Sequence, residues 1–98
     1  MVDLSNIIYS YPKHPAGYIA RADIYFIMKK YKEALNDYQK ALSLGNKNFT
    51  LYLKLANTKY ELGLYKEAIQ DYIYILNSNP NYEYAYYKLI GAYIFTED

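Results

Sequence analysis

Cysteine and tryptophan are absent from this 98-residue chain, and histidine occurs once. Without cysteine, no disulfide can staple the fold and no thiolate can bind a metal or attack a substrate. That composition suits a reducing, cytoplasmic setting. Neither sign of charge prevails, since 11 Lys and Arg stand against 10 Asp and Glu. Nucleic-acid binding by phosphate neutralisation needs a basic excess that this balance lacks. No apolar run approaches the roughly 20 residues that span a bilayer. Residues 1–10 lack the basic start and long apolar stretch of a signal peptide. The expectation is one soluble, intracellular domain without membrane or nucleic-acid partners.

Tyrosine, by contrast, is plentiful at 16 residues. An A+T-rich coding sequence would enrich Tyr together with Lys, Asn and Ile, so the count alone says nothing about function. Placement is the informative quantity. The segment YKEALNDYQKAL at residues 31–42 returns as YKEAIQDYIYIL at 65–76, an offset of 34. The same offset links Tyr18 to Tyr52 and Tyr86, Ala22 to Ala56, and Ala34 to Ala68. Repeat frames therefore run over 15–48 and 49–82, with a third, partial frame at 83–98. Residues 1–14 form a leader in which Ile7, Ile8 and Pro12 precede Ala41, Leu42 and Asn46 by the same interval, as the tail of a preceding second helix would.

Apolar positions in each half-frame follow helical spacing, and no stretch alternates as a half-buried strand does. Helices are predicted near 16–29, 32–44, 50–62, 66–78 and 83–95. Breaks at Lys29-Lys30, Gly45-Asn46, Gly63-Leu64 and Asn79-Pro80-Asn81 separate them. The small pairs Ala22/Ala34 and Ala56/Ala68 let helices approach closely, and Tyr25, Tyr38 and Tyr72 fill the space beside them. The fold class is all-α, built of antiparallel helix hairpins.

This pattern resembles the tetratricopeptide repeat family. Tyr52, Leu55-Ala56, Gly63, Tyr65, Ala68, Tyr72 and Pro80 stand where family repeats place an aromatic, Leu-small, turn Gly, Tyr, Ala, aromatic and closing Pro. Tyr18, Ala22, Tyr25, Tyr31, Ala34, Tyr38 and Ala41 do the same in the first frame. Departures are Arg21 for Leu, Lys29 for the turn Gly, Asn46 for Pro, Lys59 for Tyr, and Ile75 and Ile90 for small residues; packing is expected to be looser there. The resemblance implies an α-α superhelix of stacked hairpins, a solenoid fragment that binds proteins and catalyses nothing.

The resemblance also implies that first helices line a concave groove. Its candidate residues are Ile19, Asp23, Phe26, Leu53, Asn57, Tyr60, Tyr84 and Tyr87, with Lys54 and Lys88 at the edge. Nine tyrosines (18, 25, 31, 38, 52, 65, 72, 86 and 93) occupy repeat-core positions, whereas Tyr60, Tyr84 and Tyr87 do not. Aromatic anchors with Asn57 to hydrogen-bond a backbone and lysines to meet acidic side chains suit a peptide of another protein. Family members that clamp a chaperone's terminal carboxylate use Lys, Asn and Arg. The corresponding positions here hold Ile19, Asp23, Lys54, Tyr84 and Lys88, of which only Lys88 suits that chemistry.

Two alternatives remain. Leu89, Ile90, Tyr93, Ile94 and Phe95 on the last helix, with Ile73 and Tyr74, would support self-association into a homo-oligomer. Groove tyrosines stacking on RNA bases is the other, disfavoured by the charge balance. Catalytic and metal chemistry find no constellation, and no cofactor is implied. His14 lies between prolines as a surface residue. Glu33, Asp37, Glu67 and Asp71 read as a solvated face with lysine partners such as Lys40. The four glycines, Gly17, Gly45, Gly63 and Gly91, form no phosphate loop, and Lys29, Lys30 and Lys32 form a solvated basic spot.

Overall fold

The computed structural model describes residues 14–46 and 48–96. The leader residues Ile7, Ile8 and Pro12 lie outside them. Among the described residues there are five helices and no strand: α1 (Pro15–Ile27), α2 (Tyr31–Ser43), α3 (Phe49–Glu61), α4 (Tyr65–Ser78) and α5 (Glu83–Thr96). The chain divides between residues 47 and 48 into two compact units. The first holds the α1–α2 hairpin. The second holds α3, α4 and α5, with α4 packed against both of the others. Helix ends fall within two residues of the sequence expectation.

Local chemistry fixes where each helix starts and stops. His14 caps α1, its Nδ1 accepting the Ala16 N–H at 3.2 Å. Pro15 follows at the first helical position, where a missing N–H costs nothing. Asn48 caps α3 in the same way, accepting from the Thr50 N–H at 3.1 Å. At the far end of α3, Leu64 N–H reaches back to the Lys59 carbonyl at 2.8 Å and Gly63 sits at φ +81°. This is a Schellman turn, which needs a left-handed residue after the helix. The equivalent turn after α1 has Lys30 N–H bonded to the Tyr25 carbonyl at 2.8 Å, with Lys29 at φ +62°. A lysine therefore holds the conformation that glycine holds one repeat later, despite the clash between its Cβ and the backbone.

The small residues govern the packing of each hairpin. Ala22 and Ala34 are fully buried where α1 meets α2, as are Ala56 and Ala68 where α3 meets α4. In the second unit Ala56, Ala68, Tyr72, Ile75, Leu76 and Ala85 form one cluster, flanked by Tyr52, Leu53, Tyr60, Tyr82 and Leu89. Burying a ring such as Tyr72 contributes roughly 1.5–3 kcal/mol. Its hydroxyl must then find a partner. It donates to Asn57 Oδ1 on α3, and one repeat earlier Tyr38 donates to Asp23 Oδ1 on α1. The two bonds are related by the 34-residue offset.

Three expectations need correction. Of the nine tyrosines assigned to repeat cores, Tyr38 and Tyr72 are buried and Tyr18, Tyr25, Tyr31, Tyr52 and Tyr65 half-buried, but Tyr86 and Tyr93 are exposed. They lie on the side of α5 that matches the α4-covered side of α3, and among the described residues no helix covers it. Ile90 likewise stands exposed where its counterparts Ala22 and Ala56 are fully buried.

The second correction concerns the carboxylates. Asp37 does not face solvent: it is 3% exposed and takes Arg21 in a two-pronged pair, at 2.7 Å from Nε and 2.8 Å from Nη2. Asp71 is half-buried and pairs with Lys59 at 2.8 Å. Glu33, Glu67 and Lys40 remain exposed. The third correction follows from the second. Arg21 and Lys59, expected to loosen the packing, are the cations that neutralise the inward carboxylates. Arg21 also spreads over the rings of Tyr18 and Tyr25, 5.9 Å from each centroid, a placement that favours a cation. Donating both hydrogen bonds to Asp37 makes Arg21 hold its proton more tightly than usual. Burial raises the Asp71 carboxyl above its ordinary range, and Lys59 only partly offsets the rise.

Two stability measurements check these assignments. Lys29→Gly relieves the left-handed lysine, so chemical denaturation should show a gain of about 1 kcal/mol, whereas Gly63→Lys should lose about as much. Arg21→Leu strands a buried carboxylate and should cost about 3 kcal/mol. The double change Arg21→Leu/Asp37→Leu removes both charges and should recover most of that loss; failure to recover it would refute the pair as the source.

Candidate functional site

The candidate groove residues divide between the two units. In the first unit α1 carries Ile19, Asp23 and Phe26, all half-buried. Asp23 accepts the Tyr38 hydroxyl. Phe26 stands edge-on to Tyr31, with ring centroids 5.2 Å apart. Both side chains are thus engaged in closing the α1–α2 hairpin.

In the second unit the structure brings together residues that the sequence separates by about one repeat. Asn57 on α3 accepts from Tyr72 on α4 and is hydrogen-bonded to the Tyr84 phenol on α5. One amide thereby ties three helices. Part of its hydrogen-bonding capacity is consumed within the fold. That leaves less of the amide for the peptide-backbone hydrogen bond expected from the sequence. Burial pushes the phenols of Tyr72 and Tyr84 above their ordinary range, with the Asn57 bond partly countering the rise at Tyr84.

Tyr60 connects α3 with α5. The Lys88 ammonium lies over its ring, 4.4 Å from the centroid, and 5.9 Å from that of Tyr84. Two faces of negative π density hold the cation in place. The Tyr60 hydroxyl lies above Gly91, where an added Cβ would be 2.7 Å from the oxygen. Gly91 is therefore a packing glycine that lets this ring cross α5. Tyr60 also meets Tyr65 edge-on at 5.4 Å and Phe95 at 6.1 Å, and Tyr65 stacks on Phe95 at 5.1 Å. Expected as a solvent-facing groove ring, Tyr60 is instead half-buried and flanks the core.

The remaining candidates differ in accessibility. Tyr84 is moderately exposed, and Tyr87 is 74% exposed. Leu53 packs against the core cluster. Lys54 is half-buried, and its carbonyl accepts the Thr58 hydroxyl at 2.7 Å. The face that results carries Tyr84, Tyr87 and Lys88, braced from beneath by Asn57 and Tyr60. It offers aromatic contact and one oriented cation. No group of three or more metal-ligating side chains occurs among the described residues.

The residues proposed for self-association also separate. Leu89 turns to the core and Phe95 to Tyr60 and Tyr65, leaving Ile90, Tyr93 and Ile94 on an open side of α5. Tyr74 tilts against Tyr52, with centroids 4.4 Å apart, although both it and Ile73 keep exposed surface. Sequence reading missed the Arg21–Asp37 and Lys59–Asp71 pairs and the Tyr65–Phe95 stack. A signal existed for the pairs: an acid recurs at the same repeat position, and each first helix carries one cation against the family pattern.

A family model described as TPR repeat matches residues 22–63, and one described as Tetratricopeptide repeat matches residues 49–82. A search of curated proteins gives no match. Among solved structures, the first TPR of Spaghetti (RPAP3), bound to the HSP90 peptide SRMEEVD, superposes with a TM-score of 0.82 at 26% identity, covering 91% of this chain and 71% of that one. The first TPR domain of human RPAP3 gives 0.82 at 25% identity, covering 94% and 72%. The second human RPAP3 TPR domain, in complex with the HSP70 peptide SGPTIEEVD, gives 0.80 at 24% identity, covering 91% and 74%.

The buried phenols yield a pH prediction. Tyr38 and Tyr72 are held well above the usual phenol range, first by burial and then by neighbouring negative groups. In the unfolded chain they titrate near 10. A folded pKa above the unfolded one gives stability that is fully present below about pH 10 and lost as pH rises beyond it. Alkaline titration followed at 295 nm should show a group of tyrosines ionising only as far-UV circular dichroism is lost. In Tyr38→Phe/Tyr72→Phe that late step should shrink.

Proposed function

Because the chain belongs to the tetratricopeptide repeat family, we propose that it is a non-catalytic scaffold module that holds an acidic peptide segment of a partner protein against the Tyr84, Tyr87 and Lys88 face. Lys88 carries this reading. Its ammonium is fixed between two rings, so the side-chain entropy that a flexible lysine loses on binding is already spent in the free protein. A carboxylate arriving there meets a half-buried, oriented donor. Tyr87 offers an aromatic contact for an adjacent apolar side chain. Rings in this role bring large contact area with few rotatable bonds.

The HSP90 peptide bound by the first TPR of Spaghetti (RPAP3) supports the peptide chemistry, since SRMEEVD is rich in acidic side chains. It does not extend to a clamp for the terminal carboxylate. Ile19 and Asp23 occupy clamp positions in the first repeat, and Asp23 is already the acceptor for Tyr38. The recognised groups are side-chain carboxylates within the peptide.

The heptapeptide SRMEEVD and its C-terminally amidated form provide the probe. Titration into the 98-residue protein, followed by amide NMR shifts, should perturb α3 and α5 alike with both peptides and with similar affinity. Lys88→Glu should weaken binding at least tenfold, equivalent to about 1.4 kcal/mol. Tyr87→Ala should weaken it several-fold with little change in Tm, because that ring is exposed. A strong preference for the free C-terminus would replace this reading with a clamp. Absence of saturable shifts would overturn it.

A further inference from the structure

Gly91 sits inside α5, where nothing in its backbone calls for glycine. Gly45 and Gly63 hold φ of +102° and +81°, but Gly91 has no positive φ and continues the helix. A glycine so placed weakens a helix relative to alanine, because it loses more backbone freedom on folding. At the matching positions one and two repeats earlier stand Asn57 and Asp23, each accepting the phenol of a buried tyrosine. On α5 the side chain is missing and the Tyr60 ring takes its place. An added Cβ would lie 2.7 Å from the Tyr60 hydroxyl oxygen, nearer than such atoms come, but 3.5 Å from Cζ, an ordinary contact.

The same ring carries the Lys88 ammonium, 4.4 Å from its centroid. Tyr65 and Phe95 meet it nearly at right angles, so the ring is confined on several sides at once. A methyl group at position 91 displaces the hydroxyl and tilts the ring. For the fold this is a small disturbance, since the atom that must move is the far end of a side chain. For Lys88 it is a large one, because attraction to a ring depends on where the cation stands over its face. Once that face turns, the remaining support is Tyr84, whose centroid is 5.9 Å away.

We propose that Gly91 is a positioning residue for peptide capture: its bare backbone seats Tyr60, and Tyr60 aims Lys88 at the incoming carboxylate. This rests on the acidic-peptide reading of the Lys88 face and adds to it the residue that sets the lysine's direction. Gly91 acts through the ring, not through contact with the peptide. Helix stability and peptide affinity therefore part company at this position. Alanine improves the helix and loosens the site. Leucine, also a good helix former, intrudes further into the space of the ring and loosens the site more.

Two readouts separate the steps. The Lys88 Hε protons, shielded by the Tyr60 ring, report the seating of the lysine by NMR without any peptide. Titration with SRMEEVD reports capture. Gly91→Ala should move the Hε signal toward its random-coil position and weaken the peptide several-fold, with Tm unchanged or raised. Gly91→Leu should weaken it more. Gly91→Ala/Tyr60→Phe removes the oxygen that the new Cβ meets, and should bring back both the shielding and most of the lost affinity. An Hε signal indifferent to Gly91→Ala, full affinity despite a moved signal, or a double variant no better than Gly91→Ala would each overturn the proposal. Absence of saturable binding in the unaltered protein overturns the peptide reading and this inference with it. A moved Hε signal then traces the failure to that reading rather than to the seating of the lysine.

Discussion

The structure depends on the close approach of paired helices at four alanines. Ala22, Ala34, Ala56 and Ala68 are all fully buried, and a side chain ending at Cβ is what lets α1 close on α2 and α3 on α4. Close approach leaves room for a ring beside the contact, and Tyr38 and Tyr72 occupy it. A buried phenol then requires an acceptor. The residue following each first-helix alanine, Asp23 or Asn57, provides it. One geometric constraint thus propagates from alanine to ring to hydroxyl to the polar side chain on the facing helix. Among the described residues no buried side-chain nitrogen or oxygen lacks a partner.

The same constraint explains the inward carboxylates. Asp37 and Asp71 immediately precede the buried tyrosines, so their side chains start from the rim of the helix contact rather than from the far side. A carboxylate so placed must be neutralised or must gain a proton. In the first hairpin Arg21 neutralises it, and in the second Lys59 does. These cations occupy different repeat positions: Arg21 matches Leu55, and Lys59 matches Tyr25. The acid is fixed while the cation moves by one helical turn, because either place reaches the same spot on the opposing helix.

That displacement marks how far the sequence could be read. Every property tied to the repeat interval was legible: helix number, pairing, the alanine contacts, and the glycine turn after α3. Properties arising from compensation between non-equivalent positions were not. Searching at a fixed offset finds the recurring acid but cannot find a cation that changes position, and within one helix Asp37 sits near Glu33 and Lys40 as though on an outer face. Tyr60 was misjudged for a related reason. Its ring meets Tyr65 of its own hairpin, but only the next helix, with Gly91 beneath the ring, reveals the rest of what it packs against. For the candidate site, the sequence identified Tyr84, Tyr87 and Lys88 as neighbours. That Lys88 is held by rings depends on side-chain directions, which spacing does not set.

Tyrosine abundance has an explanation in bias of composition, but its distribution over α5 follows from geometry. At about 100° per residue, the side chains of this helix fall into three sets centred roughly 120° apart. Ala85, Leu89 and Ala92 are buried or half-buried; Tyr84, Tyr87, Lys88 and Gly91 share a second face with Phe95; Tyr86, Ile90, Tyr93 and Ile94 form the third. Only the first is needed to hold α5 on α4. A helix apolar all round is ordinarily buried all round. Here two of its three sides keep accessible rings of differing character: one is polarised by an oriented cation, the other is uncharged. At the same pitch Tyr87 falls about 20° from Ile94, so the two sides meet along one seam and a partner covering the uncharged side would also touch the Tyr87 ring.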